Sequence, residues 1–259
     1  RNLNLKVEGG LDDYSQKDNK FYGLTTYYVG NTATYKNKPA GSYQDYYRKK
    51  IRSTNTLNYN FSEVFSDSRH KLDILLGQEY ILAQSNTFST TVENFPDFFD
   101  AAMAWNYMST GTSISSNNYY DPNDKLLSFF GRVNYDFDGR YSVSATVRAD
   151  GSSKFTKGNQ WGYFPSAAAS WTLSNESWLK DASWLDNLKL RYSFGTAGNN
   201  NIPSGVTALS FASNNSAWIS QSNTYWSTAT VGGKTIMPNP DLTWETTLSH
   251  NIGVDFSFL

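Results

Sequence analysis

Apolar and polar residues alternate with a period of two along much of the chain. From Leu127 to Phe137 the odd positions are Leu127, Phe129, Gly131, Val133, Tyr135 and Phe137, set against Ser128, Phe130, Arg132, Asn134 and Asp136. After Asp138-Gly139 the pattern resumes with Tyr141, Val143, Ala145, Val147 and Ala149 against Ser142, Ser144, Thr146, Arg148 and Asp150. A strand turns successive side chains to opposite faces, so this stretch predicts a β-hairpin, with Asp-Gly supplying the positive-φ turn. The same alternation marks Leu57, Tyr59 and Phe61, then Leu188, Leu190, Tyr192 and Phe194. It returns in Leu248, Ile252, Val254, Phe256 and Phe258, whose face includes His250. Helical spacing is confined to Pro96 to Met108 and Glu176 to Asp181, which predict short helices between strands.

The pattern gives about eight strands, over roughly 1–12, 48–62, 71–92, 125–136, 140–150, 163–173, 187–197 and 243–259. The connections then alternate in length. Short links fall at roughly 63–70, 137–139 and 174–186, and long ones, rich in Asn, Ser, Thr, Gly and Tyr, at about 13–47, 93–124, 151–162 and 198–242. A soluble sandwich has no reason to gather its long loops at one end, whereas an outer-membrane barrel has short periplasmic turns and long extracellular loops. Lipid also requires a closed sheet, because each unpaired backbone group in hydrocarbon costs several kcal/mol. Aromatic residues gather near the predicted strand ends, where interfacial girdles sit: Tyr46, Tyr47, Tyr135, Phe137, Tyr141, Trp161, Tyr163, Phe164, Trp171, Trp178, Trp184 and Trp244. On the opposite face Arg132 with Asn134, Arg148 with Asp150, and Lys189 with Arg191 recur two apart. Bulk water outside a sandwich and a hydrated barrel lumen suit these pairs equally.

Composition narrows the choice. Aromatic residues make up 16% of the 259 positions, yet the mean hydropathy is -0.56. Disordered chains are poor in aromatics, so the composition argues against disorder, and a wall with one apolar and one polar face accommodates both numbers. A net charge of -1 argues against a nucleic-acid surface or a polybasic membrane anchor. The absence of cysteine removes disulfides, thiolate metal sites and cysteine nucleophiles. No apolar run approaches the roughly 18 residues of a membrane-spanning helix. Both Arg1 to Val7 and Gly253 to Leu259 read as strand already in progress, so the chain is expected to be one piece of a larger β-structure.

Catalytic chemistry finds no foothold. The only histidines, His70 and His250, lack ligand-spaced neighbours; the first is expected in a solvated turn and the second on a strand face as packing or interfacial. Gly233-Lys234-Thr235 resembles the tail of a phosphate loop, but Thr228 stands where the first glycine belongs and Met237, Pro238 and Pro240 follow where a helix should start. Carboxylate pairs Asp12/Asp13, Asp97/Asp100 and Asp121/Asp124 read as solvated caps and turns, and Asp121-Pro122-Asn123-Asp124 lacks the ligands of a calcium loop. No metal, cofactor or enzymatic activity is expected. Binding is better served. Trp105, Tyr107, Tyr119 and Tyr120 lie with Asn106, Asn117 and Asn118 in one long connection, and Trp218, Tyr225 and Trp226 with Asn214, Asn215, Gln221 and Asn223 in another. Aromatic faces beside amides stack on sugar C–H faces and bond hydroxyls without charge; they equally suit a polar protein interface or packing of one loop on another.

Five stretches in order resemble the C-terminal barrel of the SusC/RagA-type TonB-dependent outer-membrane transporters of Bacteroidetes. They are Phe130-Gly131-Arg132-Val133-Asn134-Tyr135 continuing through Tyr141 to Ala149 into Asp150-Gly151-Ser152-Ser153-Lys154-Phe155; Trp161-Gly162-Tyr163-Phe164-Pro165 through Trp171; Leu188-Lys189-Leu190-Arg191-Tyr192-Ser193-Phe194-Gly195; Gly198-Asn199-Asn200-Asn201-Ile202; and Asn239-Pro240-Asp241-Leu242-Thr243-Trp244-Glu245 with Asn251-Ile252-Gly253-Val254-Asp255. The resemblance implies an all-β fold, a transmembrane antiparallel β-barrel segment forming about eight strands of a 22-stranded barrel, in a Gram-negative, Bacteroidetes-type cell outer membrane. Residues 1–259 would then be part of one barrel domain, with the plug domain and the TonB-contacting segment outside this chain. It further implies import of glycans, peptides or similar nutrients with a SusD-like surface lipoprotein as lid, energy from the TonB complex, contact with outer-membrane lipid, a dimer of transporter–lipoprotein pairs, and no nucleic-acid partner. Two other roles fit the same residues: a structural subunit of a larger outer-membrane complex, and a self-contained sugar-binding β domain. The motifs read as wall-building, with Trp244 at the outer interface where its strand begins.

Overall fold

A computed structural model describes residues 2–27, 29, 37–61, 63–180, 182–203, 206–207, 210–215, 222–227, 229–231, 234–236 and 238–258, with position 122 and those between 210 and 236 described by backbone alone. Strands β1 (Leu3–Tyr22), β2 (Ala40–Asn60), β3 (His70–Glu93), β4 (Thr112–Phe137), β5 (Tyr141–Ser152), β6 (Trp161–Thr172) and β7 (Leu185–Asn199) follow in chain order. Short strands β8 (Ser210–Asn215), β9 (Ser222–Ser227), β10 (Ala229–Val231) and β11 (Lys234–Ile236) precede β12 (Glu245–Phe258). One eight-stranded sheet runs β1-β2-β3-β4-β5-β6-β7-β12, while β8 pairs β9 and β10 pairs β11 as separate ribbons. The pairings from β4 to β7 and β12 are antiparallel. Among the described residues the sheet is open, with β1 and β12 as its two ends.

The expected strand count holds for this sheet, but three boundaries need correction: the end of β1 and the starts of β2 and β4. β1 to β4 are 20, 21, 24 and 26 residues long, well beyond the roughly 9–11 residues that cross hydrocarbon. Much of what reads as loop at 13–22, 40–47 and 112–124 is strand. Outside hydrocarbon, both faces of a strand meet water, so Asp12-Asp13-Tyr14-Ser15 and Asn117-Asn118-Tyr119-Tyr120 carry no apolar alternation to betray it. Of the two expected helices, the first shrinks to α1 (Ala101–Asn106), capped by Asp100, whose carboxylate accepts from the Met103 amide at 2.8 Å. The second is replaced by a 3-10 turn at Leu173–Asn175 and a single turn closed by the Lys180 amide on the Glu176 carbonyl.

The hairpin between β4 and β5 forms as the Asp-Gly pair demands. Asp138 and Gly139 have φ of 57° and 64°, the Arg140 amide closes on the Phe137 carbonyl at 2.9 Å, and the Asp136 carboxylate accepts from the Gly139 amide. This is a type I′ turn. Pro165 sits in β6 one residue before its register with β7 begins at Ser166 opposite Gly195, so its missing donor costs no ladder bond on that side.

Exposure is inverted relative to a soluble fold. Val147, Tyr163 and Ile252 on the apolar face are 56%, 68% and 84% exposed, whereas Ser128 and Asp150 on the polar face are 0% and 6% exposed. An apolar face this continuous marks a lipid-facing surface. Trp161 and Trp171 share that face at opposite ends of β6. The rise of roughly 3.3 Å per residue over a tilted strand puts them about 25 Å apart along the membrane normal, the height of a barrel's apolar band. At one level Phe137, Tyr141 and Trp171 stack at centroid distances of 6.5 and 6.1 Å; at the other, Trp161 stacks on Phe129 at 6.3 Å.

Contacts divide the described chain into two compact units, one of residues 1–9, 52–82 and 124–259, the other of residues 10–51 and 83–123. The second is organised around Val92, Phe95 and Ala104, with Phe21, Phe99 and Met108 against them. In the first, aromatic rings lie flat on glycines: Phe130 covers Gly77, and Phe164 covers Gly198. A methyl group at Gly198 would occupy the Phe164 ring's own space, so Gly198→Ala is expected to cost about 1–3 kcal/mol of unfolding free energy. A urea unfolding midpoint unchanged from the parent would refute this packing.

Candidate functional site

The connection from β3 to β4 places its aromatic residues in two settings. Trp105 on α1 is half-buried and its ring lies over Gly41, at 3.3 Å from where a Cβ would stand. Tyr107 is 59% exposed and meets Phe99 edge-on at 6.5 Å. Tyr119 and Tyr120 are both more than half exposed, and they stand on β4 itself rather than in a loop. As consecutive strand residues they point to opposite faces. The Tyr120 hydroxyl donates to Asn123 Oδ1 at 2.8 Å, which also accepts from Gln84 Nε2 at 2.8 Å. The Tyr119 hydroxyl reaches Asp121 Oδ1 at 3.5 Å, and Ser85 donates to the same carboxylate at 3.4 Å. Partial desolvation and then the Asp121 charge push the Tyr119 phenol above its ordinary range.

The structure thus joins Tyr119 and Tyr120 to an amide and hydroxyl set from β3 that sequence reasoning missed: Gln84 and Ser85 lie 39 and 36 positions from their partners. Trp105 instead lies over Gly41, and Tyr107 meets Phe99 at the edge of the Val92, Phe95 and Ala104 cluster. Trp218 lies outside the described residues. Tyr225 and Trp226 pair through their backbones with Ala212 and Phe211 in the β8–β9 ribbon, and their side chains lie outside the description.

On the polar face, Arg148 Nε bonds both Asp150 oxygens at 2.8 and 2.9 Å, its Nη2 donates to Ser128 Oγ at 2.9 Å and approaches Glu79 at 3.5 Å, and its guanidinium covers Phe130. Beyond this cluster, Trp244 packs on Phe155 and Phe164 and donates to the Gln160 carbonyl at 2.8 Å. This corrects two girdle assignments. Phe164 stands opposite Arg148 in register and Trp244 packs over Gly162, so both occupy the polar face, because Gly162 and Gly198 leave space there that no side chain fills.

At the opposite strand ends, Glu176 is buried and accepts from the Tyr141 hydroxyl at 2.6 Å, Trp171 Nε1 at 2.9 Å and Arg140 Nη1 at 3.2 Å. These bonds, Tyr141's first, hold its carboxyl below the ordinary range. One residue thereby ties the membrane-level ring stack to the turn. In the turn before β3, Arg69 holds Asp67 down at about 2. His70, expected in a solvated turn, instead opens β3 with Nδ1 2.7 Å from the Tyr135 hydroxyl and its ring against Phe65 and Phe137. His250, expected as packing or interfacial, stands exposed on β12, with its ring 5.4 Å from that of Phe194 and Nδ1 2.9 Å from the Tyr192 hydroxyl. Among the described residues no cluster of His, Cys, Asp and Glu could hold a metal.

The whole of residues 1–259 matches the family described as "TonB dependent receptor-like, beta-barrel". The chain is 40% identical to TonB-dependent receptor SusC of Bacteroides thetaiotaomicron over 142 residues, 54% of this chain and 14% of that protein. It is 30% identical to TonB-dependent receptor P3 of Formosa agariphila over 211 residues, 78% of this chain and 20% of that protein. The structure of the RagAB peptide transporter superposes on all of this chain and 26% of its own with a TM-score of 0.82 at 27% identity. The chain therefore spans about a quarter or less of the length of these relatives. The family is one of outer-membrane proteins, and of transporters rather than enzymes. Residues 1–259 belong to the TonB-dependent receptor-like β-barrel family, of the SusC/RagA type.

Proposed function

We propose that these residues form wall and external surface of a SusC-like importer, as part of a single barrel domain whose plug and TonB-contacting segment lie outside this stretch. Its cargo would be glycans, peptides or similar nutrients, handed on by a SusD-like surface lipoprotein, with transporter–lipoprotein pairs able to dimerise. No covalent chemistry is required of any residue. The observation that supports this reading best is the exposed pair Tyr119 and Tyr120, held by Gln84, Ser85, Asp121 and Asn123 on strands that outrun the hydrocarbon. Rings fixed by hydrogen bonds lose little entropy on meeting a ligand.

In the full-length transporter, Tyr119→Ala with Tyr120→Ala should raise the half-saturating concentration for nutrient uptake by about fivefold, since the two rings face opposite sides of β4 and the one that meets the cargo contributes on the order of 1 kcal/mol. If uptake is unchanged while capture of the surface lipoprotein is lost, the rings belong to the lid contact instead. No effect on either measurement would remove this surface from the mechanism.

A further inference from the structure

Polar side chains on the inner face of β4 to β7 and β12 mostly satisfy one another. Ser142 donates to Asp136 at 2.6 Å, Ser144 to Asn134 at 2.8 Å, and Arg191 pairs with Asp255 at 2.7 Å. One recess departs from that rule. Register places Arg132, Thr146, Ser166, Gly195 and Ser249 in one row across five strands, and Asn134, Ser144, Ala168, Ser193 and Asn251 in the next. A recess of about 420 Å³ opens over these rows. Arg132 Nε donates to Thr146 Oγ1 at 3.2 Å, and among the described residues no carboxylate lies within ion-pair distance of its guanidinium. The hydroxyls of Ser166, Ser193 and Ser249 and the Asn251 carboxamide likewise have no side-chain partner among the described residues.

A guanidinium with its two terminal nitrogens uncommitted, facing a floor of small residues with free hydroxyl and amide donors and no opposing acid, is the complement of a carboxylate. The two Nη atoms can take its oxygens in parallel, and the serines reach the remaining lone pairs. Gly195, Ala168 and Ala197 keep the floor low enough for the group to enter. With one cation lining the recess, a monoanion suits it better than a phosphate dianion. We infer that the Arg132 recess on the inner wall is a carboxylate-binding site. It rests on the barrel-wall reading only in that this face turns to a hydrated lumen. The carboxylate comes from a solute in the lumen or from an acidic side chain of the rest of the transporter.

Purified full-length transporter in detergent, titrated calorimetrically with glutarate and with neutral glutaramide, tests this. A solute site binds glutarate and not glutaramide, Arg132→Gln weakens it at least about tenfold, and Arg132→Lys retains part of it. A site already filled by the transporter's own carboxylate ignores glutarate. The parent's unfolding midpoint then falls with added salt, while Arg132→Gln starts lower and loses that salt dependence. Equal binding of glutaramide, or an Arg132→Gln protein indistinguishable from the parent in both assays, overturns the inference. Binding without any nutrient uptake would count against the importer reading alone.

Discussion

Replacing Trp244 with alanine is expected to lower the unfolding free energy of the barrel by about 3 kcal/mol, within the range for removing a large ring from a packed site. The ring contacts Phe155 and Phe164 at centroid distances of 5.5 and 5.3 Å and lies over Gly162. Its indole nitrogen bonds the Gln160 carbonyl, which also accepts from the Ser152 amide. Just before Trp244 in the chain, the Pro240 carbonyl takes the Thr156 hydroxyl at 2.5 Å and Asn159 Nδ2 at 3.3 Å. The connection after β5 and the segment leading into β12 are therefore one latch, closed by Trp244. Urea unfolding of the full transporter in detergent, followed by circular dichroism, supplies the measurement. Trp244→Phe keeps the ring contacts and loses the hydrogen bond, so it should cost only about 1 kcal/mol. A Trp244→Ala midpoint equal to the parent's would mean that the latch contributes nothing.

That latch also explains what the family motifs are for. Gly162, Phe164, Gly198, Asn239-Pro240 and Trp244 are scattered over more than 80 positions, and the fold gathers them at the ends of β6, β7 and β12. Their order was legible in the sequence; the face they occupy was not. Alternation assigns a side only while a strand is regular, and Trp244 lies just outside β12, where alternation has no authority. β5, β6, β7 and β12 could be read closely because hydrocarbon on one side and water on the other impose period two. The far ends of β1, β2 and β4 lost that signal with the loss of lipid. The β8–β9 and β10–β11 ribbons were hidden inside an Asn- and Ser-rich connection for the same reason. Tyr119 and Tyr120 stood out by residue type alone, but their partners Gln84 and Ser85 depend on the pairing of β3 with β4. The Arg132 recess depends on register across five strands, which no local pattern encodes.

The second large effect is expected at Arg148. Its guanidinium is about one-third exposed, but Asp150 beside it is buried, and Ser128 beneath it is fully so. Glu79 brings a second carboxylate to 3.5 Å. Arg148→Ala leaves two carboxylates near one another with their cation gone, and it empties the space over Phe130. Breaking a buried pair by removing one partner costs on the order of 3–5 kcal/mol, and the partial exposure of Arg148 places the expected loss near the lower figure. Two effects are mixed in that number, lost packing and a stranded charge, and a second substitution separates them. Asp150→Asn in the Arg148→Ala background removes one negative charge while keeping the shape of the side chain, so it should recover about half of the loss. Asp150→Asn alone should be destabilising, because Arg148 then loses its bidentate partner. The four proteins form a cycle in which unfolding free energies are compared in the same detergent. If the double variant is as unstable as the two single losses added together, Arg148 and Asp150 act independently and the cluster is not held by charge. If Arg148→Ala alone stays within about 0.5 kcal/mol of the parent, the inner wall relies on backbone pairing and the aromatic latch, and Arg148 is only a solvated neighbour of Asp150.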